Sequence, residues 1–253
     1  MALVTASTRA YIGKGHVKLA PLTAQAVSGA LVTLGNASKL TLSITEEEKE
    51  LPDYTSAGGG AYAAVSRIQS VKGSVTVHDL SPANLALALR ATRSGVASAA
   101  VVDEVHTAYT GGDLVLDYIP DPSTIVVKDE AATTTYVLDT DYTVNLSGIT
   151  VLASGAINDE DVLKISYTKN GSVLLQALAT AGLEWQLVFD GLNEADSGHP
   201  VIVTGHRVKF GAAAGLDLIG DDFAGLELGF TLIKNTLITG TGLSPYLKAE
   251  IVA

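Results

Sequence analysis

The stretch FAGLELGFTLIKN, residues 223–235, places Leu226, Leu228, Phe230 and Leu232 at every second position. A period of two puts all four side chains on one face of a strand, and a helix cannot gather them on one side. The same rhythm recurs. In KLTLSIT (39–45), Leu40, Leu42 and Ile44 alternate with polar residues as a half-buried strand. RIQSVKGSVTVHDL (67–80) carries Ile68, Val75 and Val77, with Gly73 expected at a bulge. EWQLVFDGLN (184–193) sets Trp185, Leu187 and Phe189 on one face, and HPVIVTGHRVKFGA (199–212) offers Val201, Val203, Val208 and Phe210. The tail LSPYLKAEIVA (243–253) follows a GTG turn and reads as a further strand or an arm. An all-β fold is expected, and 47% hydrophobic against 17% charged residues is enough to bury a sizeable core.

A single flanking helix interrupts the strands. In DLSPANLALALRATR (79–93), Ser81 is a natural N-cap and Pro82 suits the first helical position. Leu85, Ala88, Leu89 and Thr92 follow at helical spacing as a stripe to lie on a sheet. Arg90 and Arg93 are expected near the C-terminal end, where cations suit the helix dipole.

The middle of the chain has a different style. Seven short apolar runs, EVHTAYT, DLVLDYI, STIVVKD, TYVLD, YTVNL, GITVLA and VLKISYT, are separated by the turn residues of GGD, PDPS, DTD, NLSG and INDED. They predict a small all-β module at residues 101–170, inserted between a first part (1–100) and a second part (171–253) of one larger domain. Residues 101–170 hold twelve Asp and Glu against three Lys, a net of −9, which leaves −2 of the chain's −11 for the rest. Neither portion offers the basic face that non-specific nucleic-acid binding requires.

Little points to chemistry. The chain has no cysteine, which excludes disulfides, thiolate metal sites and a Cys nucleophile, and fits folding in a reducing compartment. MALVTASTRAYIGKG has no basic residue ahead of an apolar core, so no signal peptide is expected there. No apolar run approaches the about 18 residues of a membrane helix, so the chain is expected to be made in the cytosol without membrane insertion. The five histidines (16, 78, 106, 199 and 206) are dispersed, with none beside a suitable carboxylate. Gly58–Gly60 lacks the Lys-Ser/Thr of a phosphate loop, and Gly220–Asp222 reads as a turn before a strand. DTDYTVN (139–145) and NDED (158–161) lack the glycine and closing Glu of an EF-hand and read as turn chemistry on an acidic surface. No catalytic residue, cofactor site or metal site is expected.

SITEEEKELPDYTSAGGGAYA (43–63) lies between two predicted strands and therefore forms the far end of a long hairpin. Its consecutive carboxylates alternate between the faces of a strand, whereas a calcium loop needs oxygens at alternating positions. The run reads as a solvated or contact-forming face, and the three glycines as a tip that orders against a partner.

Two blocks, LGNASKLTLSITEEEKELPDYTSAGGGAYAAVSRIQSVKGSVTVHDLSPANLALALRA (34–91) and EWQLVFDGLNEADSGHPVIVTGHRVKFGAAAGLDLIGDDFAGLELGFTLI (184–233), together resemble the tail tube (major tail) proteins of long-tailed bacteriophages. The resemblance covers roughly the non-inserted two-thirds of the chain and rests on the order of its pieces: LGN, the acidic hairpin with glycines, DLSPANLALAL, FDGLN and HRVKF. It implies a tail-tube β-sandwich or barrel flanked by one helix, with the insert as a small β-sandwich of immunoglobulin-like kind. It implies hexameric rings of this chain, stacked into a tube that conducts the genome without binding it specifically. Further partners would be the tape measure and tail terminator proteins, in a virion tail assembled in the host cytoplasm. On that resemblance the inter-ring arm comprises Glu46, Glu47, Glu48, Glu50, Asp53, Tyr54, Gly58, Gly59 and Gly60. A minimal tube subunit lacks residues 101–170, which are expected to project outward. The alternative is a surface-binding or adhesin-type β protein whose insert binds carbohydrate or cells, though that insert lacks a cluster of aromatics suited to sugar stacking.

Overall fold

The computed structural model describes residues 10–252, and positions 1–9 of the segment read against a signal peptide lie outside them. In chain order come β1 (Gly13–Thr23), β2 (Ala26–Val27), β3 (Val32–Thr33), β4 (Ala37–Pro52), β5 (Ala61–Val77), α1 (Pro82–Ala88), β6 (Thr92–Val96) and β7 (Ala99–Thr107). Then follow β8 (Asp113–Val115), β9 (Val126–Asp129), β10 (Tyr142–Val144), β11 (Gly148–Val151), β12 (Val162–Lys169), β13 (Ser172–Gln176), β14 (Glu184–Asn193), β15 (His199–Phe210), β16 (Leu226–Leu232) and β17 (Leu247–Ile251). The protein is all-β with one helix, as the alternation dictates.

The chain forms two compact units, one of residues 10–92 with 176–252, the other Arg93–Leu175. The second is wider than residues 101–170 because β6 and β13, unrecognised in the sequence, pair as a ribbon at its two ends.

In the first unit a nine-stranded antiparallel sheet runs β2-β1-β14-β15-β16-β5-β4, with β17 also paired to β15 and β3 to β1. The core draws on alternate residues: Val17 and Leu19 of β1, Val71, Val75 and Val77 of β5, Val208 and Phe210 of β15, and Leu226, Leu228, Phe230 and Leu232 of β16. The opposite face of β4, β5 and β16 is polar, with Lys39, Thr41, Ser43, Lys72, Ser74, Thr76, Glu227 and Thr231. The tail is a strand: β17 pairs with residues 201–205 of β15, which frees β16 to take residues 208–210.

Gly73 is not a bulge. It pairs in continuous register with Leu42 and Phe230. Its missing side chain makes room for Phe230, because a Cβ there would lie 2.4 Å from that ring and 2.4 Å from the Thr41 carbonyl oxygen. Phe230 in turn meets Phe210 edge to face at 5.5 Å.

Helix α1 starts where the sequence indicates: the Ser81 hydroxyl accepts the Asn84 N–H at 3.2 Å, and Pro82 stands in the first turn. It is shorter than expected. Arg90 adopts φ 50°, a left-handed conformation that ends the helix, so Arg90 lies beyond the last turn while Thr92 and Arg93 belong to β6. The buried residues of the helix are Ala88 and Asn84, whose amide donates to the carbonyls of Leu34 (2.8 Å) and Asp79 (2.7 Å).

The second unit is a sandwich of two three-stranded sheets, β10-β11-β8 and β7-β12-β9. Its own core holds Val127, Ile149, Val151, Ile157, Leu163 and Ile165, contributed by both sheets and a loop. Six of the seven predicted runs carry strands. TYVLD (135–139) makes only isolated bridges, at Thr135 and Leu138. Its backbone is instead tied to Asp141, whose carboxylate accepts the Val137 N–H at 2.8 Å.

Candidate functional site

The longest paired segment among the described residues is the β4–β5 hairpin, which runs antiparallel from Ala37 opposite Val77 to Pro52 opposite Ala61. Near the sheet it belongs to the core through Leu40, Val71, Val75 and Val77. Farther out every residue is exposed, over 46–52 on one strand and 61–69 on the other. At the rise of a β-strand these seven outer residues of β4 reach roughly 20 Å past the core. The register shifts between Thr45 and Glu46 and again between Leu51 and Pro52. Such irregularities add twist to a ribbon and re-aim its side chains.

A two-stranded ribbon with both faces uncovered is marginal in water. This one also exposes Ile44, Leu51, Tyr54, Tyr62, Val65 and Ile68. Leu42 and Ile44, expected as buried positions of a strand, are exposed, Ile44 more than Leu42. Its outer strand β4 is a sheet edge over sixteen residues. Edges of that length with apolar side chains are templates for association.

The arm residues named from the sequence divide by geometry. Glu46, Glu47, Glu48 and Glu50 are exposed on β4 opposite Ile68, Arg67, Ser66 and Ala64. Glu47 lies 3.5 Å from the Lys49 ammonium, an exposed pair of little energetic weight. Tyr54 is 82% exposed. Asp53 is not a free contact group. Its carboxylate accepts the Thr55 N–H (2.7 Å) and the hydroxyls of Thr55 (2.6 Å) and Ser56 (2.6 Å). Its own N–H donates to the Gly60 carbonyl at 2.7 Å, closing the tip. Those bonds, the Ser56 hydroxyl first, pull the Asp53 carboxyl down to about 2. Gly59 and Gly60 take φ 66° and 124°, and no atom stands within 4 Å of the side-chain direction of Gly58, Gly59 or Gly60. The tip is therefore an organised turn with open surroundings.

The acidic loops of the second unit show turn chemistry. Asp141 accepts the N–H groups of Val137 and Ala156 at 2.8 Å each. Asp159 accepts the Thr110 N–H (2.7 Å) and hydroxyl (2.6 Å), and Asp129 accepts the N–H groups of Thr133 and Thr134 and the Thr133 hydroxyl. Among the described residues no three His, Asp or Glu are grouped to hold a metal ion. All three carboxyls sit below the ordinary aspartate value: Asp129 through the Thr134 N–H first, Asp141 through the Val137 N–H, Asp159 through the Thr110 hydroxyl. A depressed carboxyl contributes stability above its unfolded value and loses it as pH falls through the folded one. The thermal midpoint of this unit is thus expected to be flat from pH 7 to about 5 and to fall below about pH 4, the unperturbed aspartate range. Asp141→Asn should flatten part of that fall, and a midpoint insensitive to acid would contradict this reading.

Contrary to the expectation that no histidine stands beside a suitable carboxylate, His106 belongs to a polar cluster. Glu104 and His106 are two apart on β7, so they share a face, and His106 Nε2 lies 2.7 Å from Glu104 Oε1. The same carboxylate accepts the Asp117 N–H (2.9 Å) and the Tyr167 hydroxyl (2.6 Å). Burial pushes Glu104 up, but the bonds from Tyr167, His106 and Asp117 outweigh it and hold the carboxyl low. Burial, then that same bond, pushes the Tyr167 phenol up. The spacing E-x-H in a strand was the available signal. A carboxylate so engaged braces strand β7 against β12 and has little basicity left for proton transfer. Of the other histidines, His199 Nδ1 lies 3.4 Å from Asp196, and His78 Nε2 is 2.9 Å from the Ser38 hydroxyl.

These features define a two-unit all-β protein with a long, exposed acidic hairpin that carries uncovered apolar side chains. The chain belongs to the family described as "Protein of unknown function UCP028589", whose model matches residues 10–250. A comparison with curated proteins finds no match.

Proposed function

We propose that this protein is a structural subunit of a phage tail tube, in which copies form hexameric rings that stack into a conduit for the genome. The observation that carries the reading is the β4–β5 hairpin. It runs out from the core, uncovered on both faces, with apolar and acidic side chains bare to its tip. A ribbon of this kind is stabilised when a second molecule covers it. Stacked rings place a neighbour there at every level, so Glu46, Glu47, Glu48, Glu50 and Tyr54 become contacts to the adjacent ring. The residue blocks 34–91 and 184–233 support the same assignment by their resemblance to tail tube proteins.

The sheet adds a second support. Among the described residues, strand β4 leaves an edge free at one end, and at the other the first residues of β1 pair only with β14. Two different free edges suit head-to-tail association, which closes into rings. In such a ring the lumen, the stacking faces and the flanks are occupied, so the acidic second unit belongs on the outer wall.

Electron microscopy of the purified full chain tests the proposal directly. Rings or hollow tubes of uniform diameter are expected. Particles that remain single subunits at every concentration and salt condition would overturn it.

A further inference from the structure

From Glu46 to Leu51 the β4–β5 hairpin pairs without a break, with Glu46 opposite Ile68, Glu48 opposite Ser66 and Glu50 opposite Ala64. Opposed residues of a ladder share a face, and so does every second residue along a strand. Glu46, Glu48 and Glu50 therefore line one face of the arm, with no cation among them. Glu47 lies on the other face, with Lys49 and Arg67. The three carboxylates are exposed and have no ion pair among the described residues. Their stripe is roughly 14 Å long, four residues of a strand.

A complementary set stands on the body of the same unit. Lys72 of β5, Thr231 of β16, Lys209 of β15 and Glu184 of β14 lie opposite one another in a single row on the polar face of the sheet. Two strand spacings put Lys72 and Lys209 roughly 10 Å apart, within the length of the stripe. Neither ammonium has an ion pair among the described residues. Glu184, which Lys209 faces across the ladder, is already held on both oxygens by Arg207, at 2.8 and 2.7 Å. Arg90 joins this row beside Gly182: a Cβ built on that glycine would lie 3.5 Å from Arg90 Nε and 3.7 Å from Lys209 Cε. The Arg90 side chain has no hydrogen bond or ion pair among the described residues, and its Nε is buried. A buried donor without a partner is costly, and a carboxylate suits the planar fork of a guanidinium.

Other carboxylates leave this row open. Glu227 is on the same face but four residues along β16 from Thr231, roughly 14 Å away, in the row of Lys39. Asp217, Asp221 and Asp222, on the loop after β15, pair with none of the three cations. Elsewhere the cations suit the stripe less. Lys128 and Lys164 oppose each other in the second unit, but residues 101–170 carry −9. Lys18 and Lys248 are engaged by Asp190 and Glu250.

We propose that the Glu46, Glu48 and Glu50 face of one copy's arm seats on Lys72, Lys209 and Arg90 of the next copy. This rests on the reading that copies stack through the arm, and it names the surface that receives it. Arm and seat are different surfaces, so the contact is head-to-tail and repeats from copy to copy.

Charge reversal tests the contact. Glu46→Lys/Glu48→Lys/Glu50→Lys and, separately, Lys72→Glu/Lys209→Glu are each expected to raise the concentration needed for assembly about tenfold or more, because like charges then face each other. Circular dichroism and the thermal midpoint should stay at their wild-type values. Lys72→Glu alone, at an exposed position, is read in the same way if the seat variant does not fold. The arm and seat reversals combined in one chain should return assembly to within about threefold of the wild-type concentration. Assembly of either single-surface variant at the wild-type concentration, or a combined variant no better than the single-surface ones, would overturn the contact. Wild-type tubes with no response to reversal refute this contact and leave the tail tube reading standing. Loss and rescue of an assembly that forms neither rings nor tubes does the reverse, and a wild-type chain that never associates refutes both.

Discussion

Deletion of Pro52–Gly60, with the shortened strands joined by Asn-Gly, is expected to abolish tubes while leaving a folded subunit. The fold should survive because the removed tip is exposed and stands away from the core among the described residues. Residues 54–60 are exposed, Gly58–Gly60 have open surroundings, and the hydrogen bonds of Asp53 are spent within the tip. Leu51 and Ala63, which pair in the native hairpin, are then joined by four residues, Asn-Gly-Ala61-Tyr62, a usual hairpin loop length, so the pairing from Leu51 back to Ala37 is retained. In the proposed tube, assembly should fail because the reach toward the adjacent ring is lost together with Tyr54. Far-UV circular dichroism and the thermal midpoint report on the fold, and electron microscopy reports on the tubes. Long tubes from this variant would remove the hairpin tip from the inter-ring contact. An unfolded variant would show that the tip has partners in its own subunit.

Gly73→Val should be among the most damaging substitutions in the first unit. The first atom of the new side chain already falls 2.4 Å from both the Phe230 ring and the Thr41 carbonyl oxygen. Phe230 cannot swing away freely, because it is buried and held edge-on by Phe210. Thr41 is backbone of the paired strand, so relief requires moving β4 itself. Overpacking of this kind costs about 3 kcal/mol, the upper part of its usual range. For a chain of this size that corresponds to a fall of roughly 6–12 °C in the midpoint of the first unit. Phe230→Leu should partly relieve the clash, so the double variant should be more stable than the sum of the singles by about 1 kcal/mol. Strict additivity, or a neutral Gly73→Val, would show that the sheet opens at this point without cost.

Gly73 also shows the limit of a single sequence. A glycine within a strand signals either a bulge or a close approach, and the local string is the same for both. The choice depends on Phe230, more than 150 positions away, arriving opposite it. Leu42 and Ile44 failed for a related reason. Alternation shows that two faces differ, but it does not show whether the same chain covers the apolar one. Helix α1 was readable at its start, where Ser81 and Pro82 act locally, and misread at its end, where Arg90 turns left-handed without a glycine to announce it. The Glu104–His106–Tyr167 cluster was half visible, since E-x-H places two groups on one strand face but Tyr167 comes from β12.

The sequence by itself determined the all-β class, the single helix, the long hairpin and the acidic character of the insert. Each follows from interactions between near neighbours: a period of two, a cap followed by proline, and turn residues between apolar runs. Only the tertiary structure decided which apolar residues are covered, that Asp53 closes the hairpin tip, and that Arg90 and Lys209 come together beside Gly182. Burial is a relation among segments distant in sequence, and register places those segments. The pattern of one strand therefore does not reveal which of its apolar side chains the rest of the chain leaves for a partner.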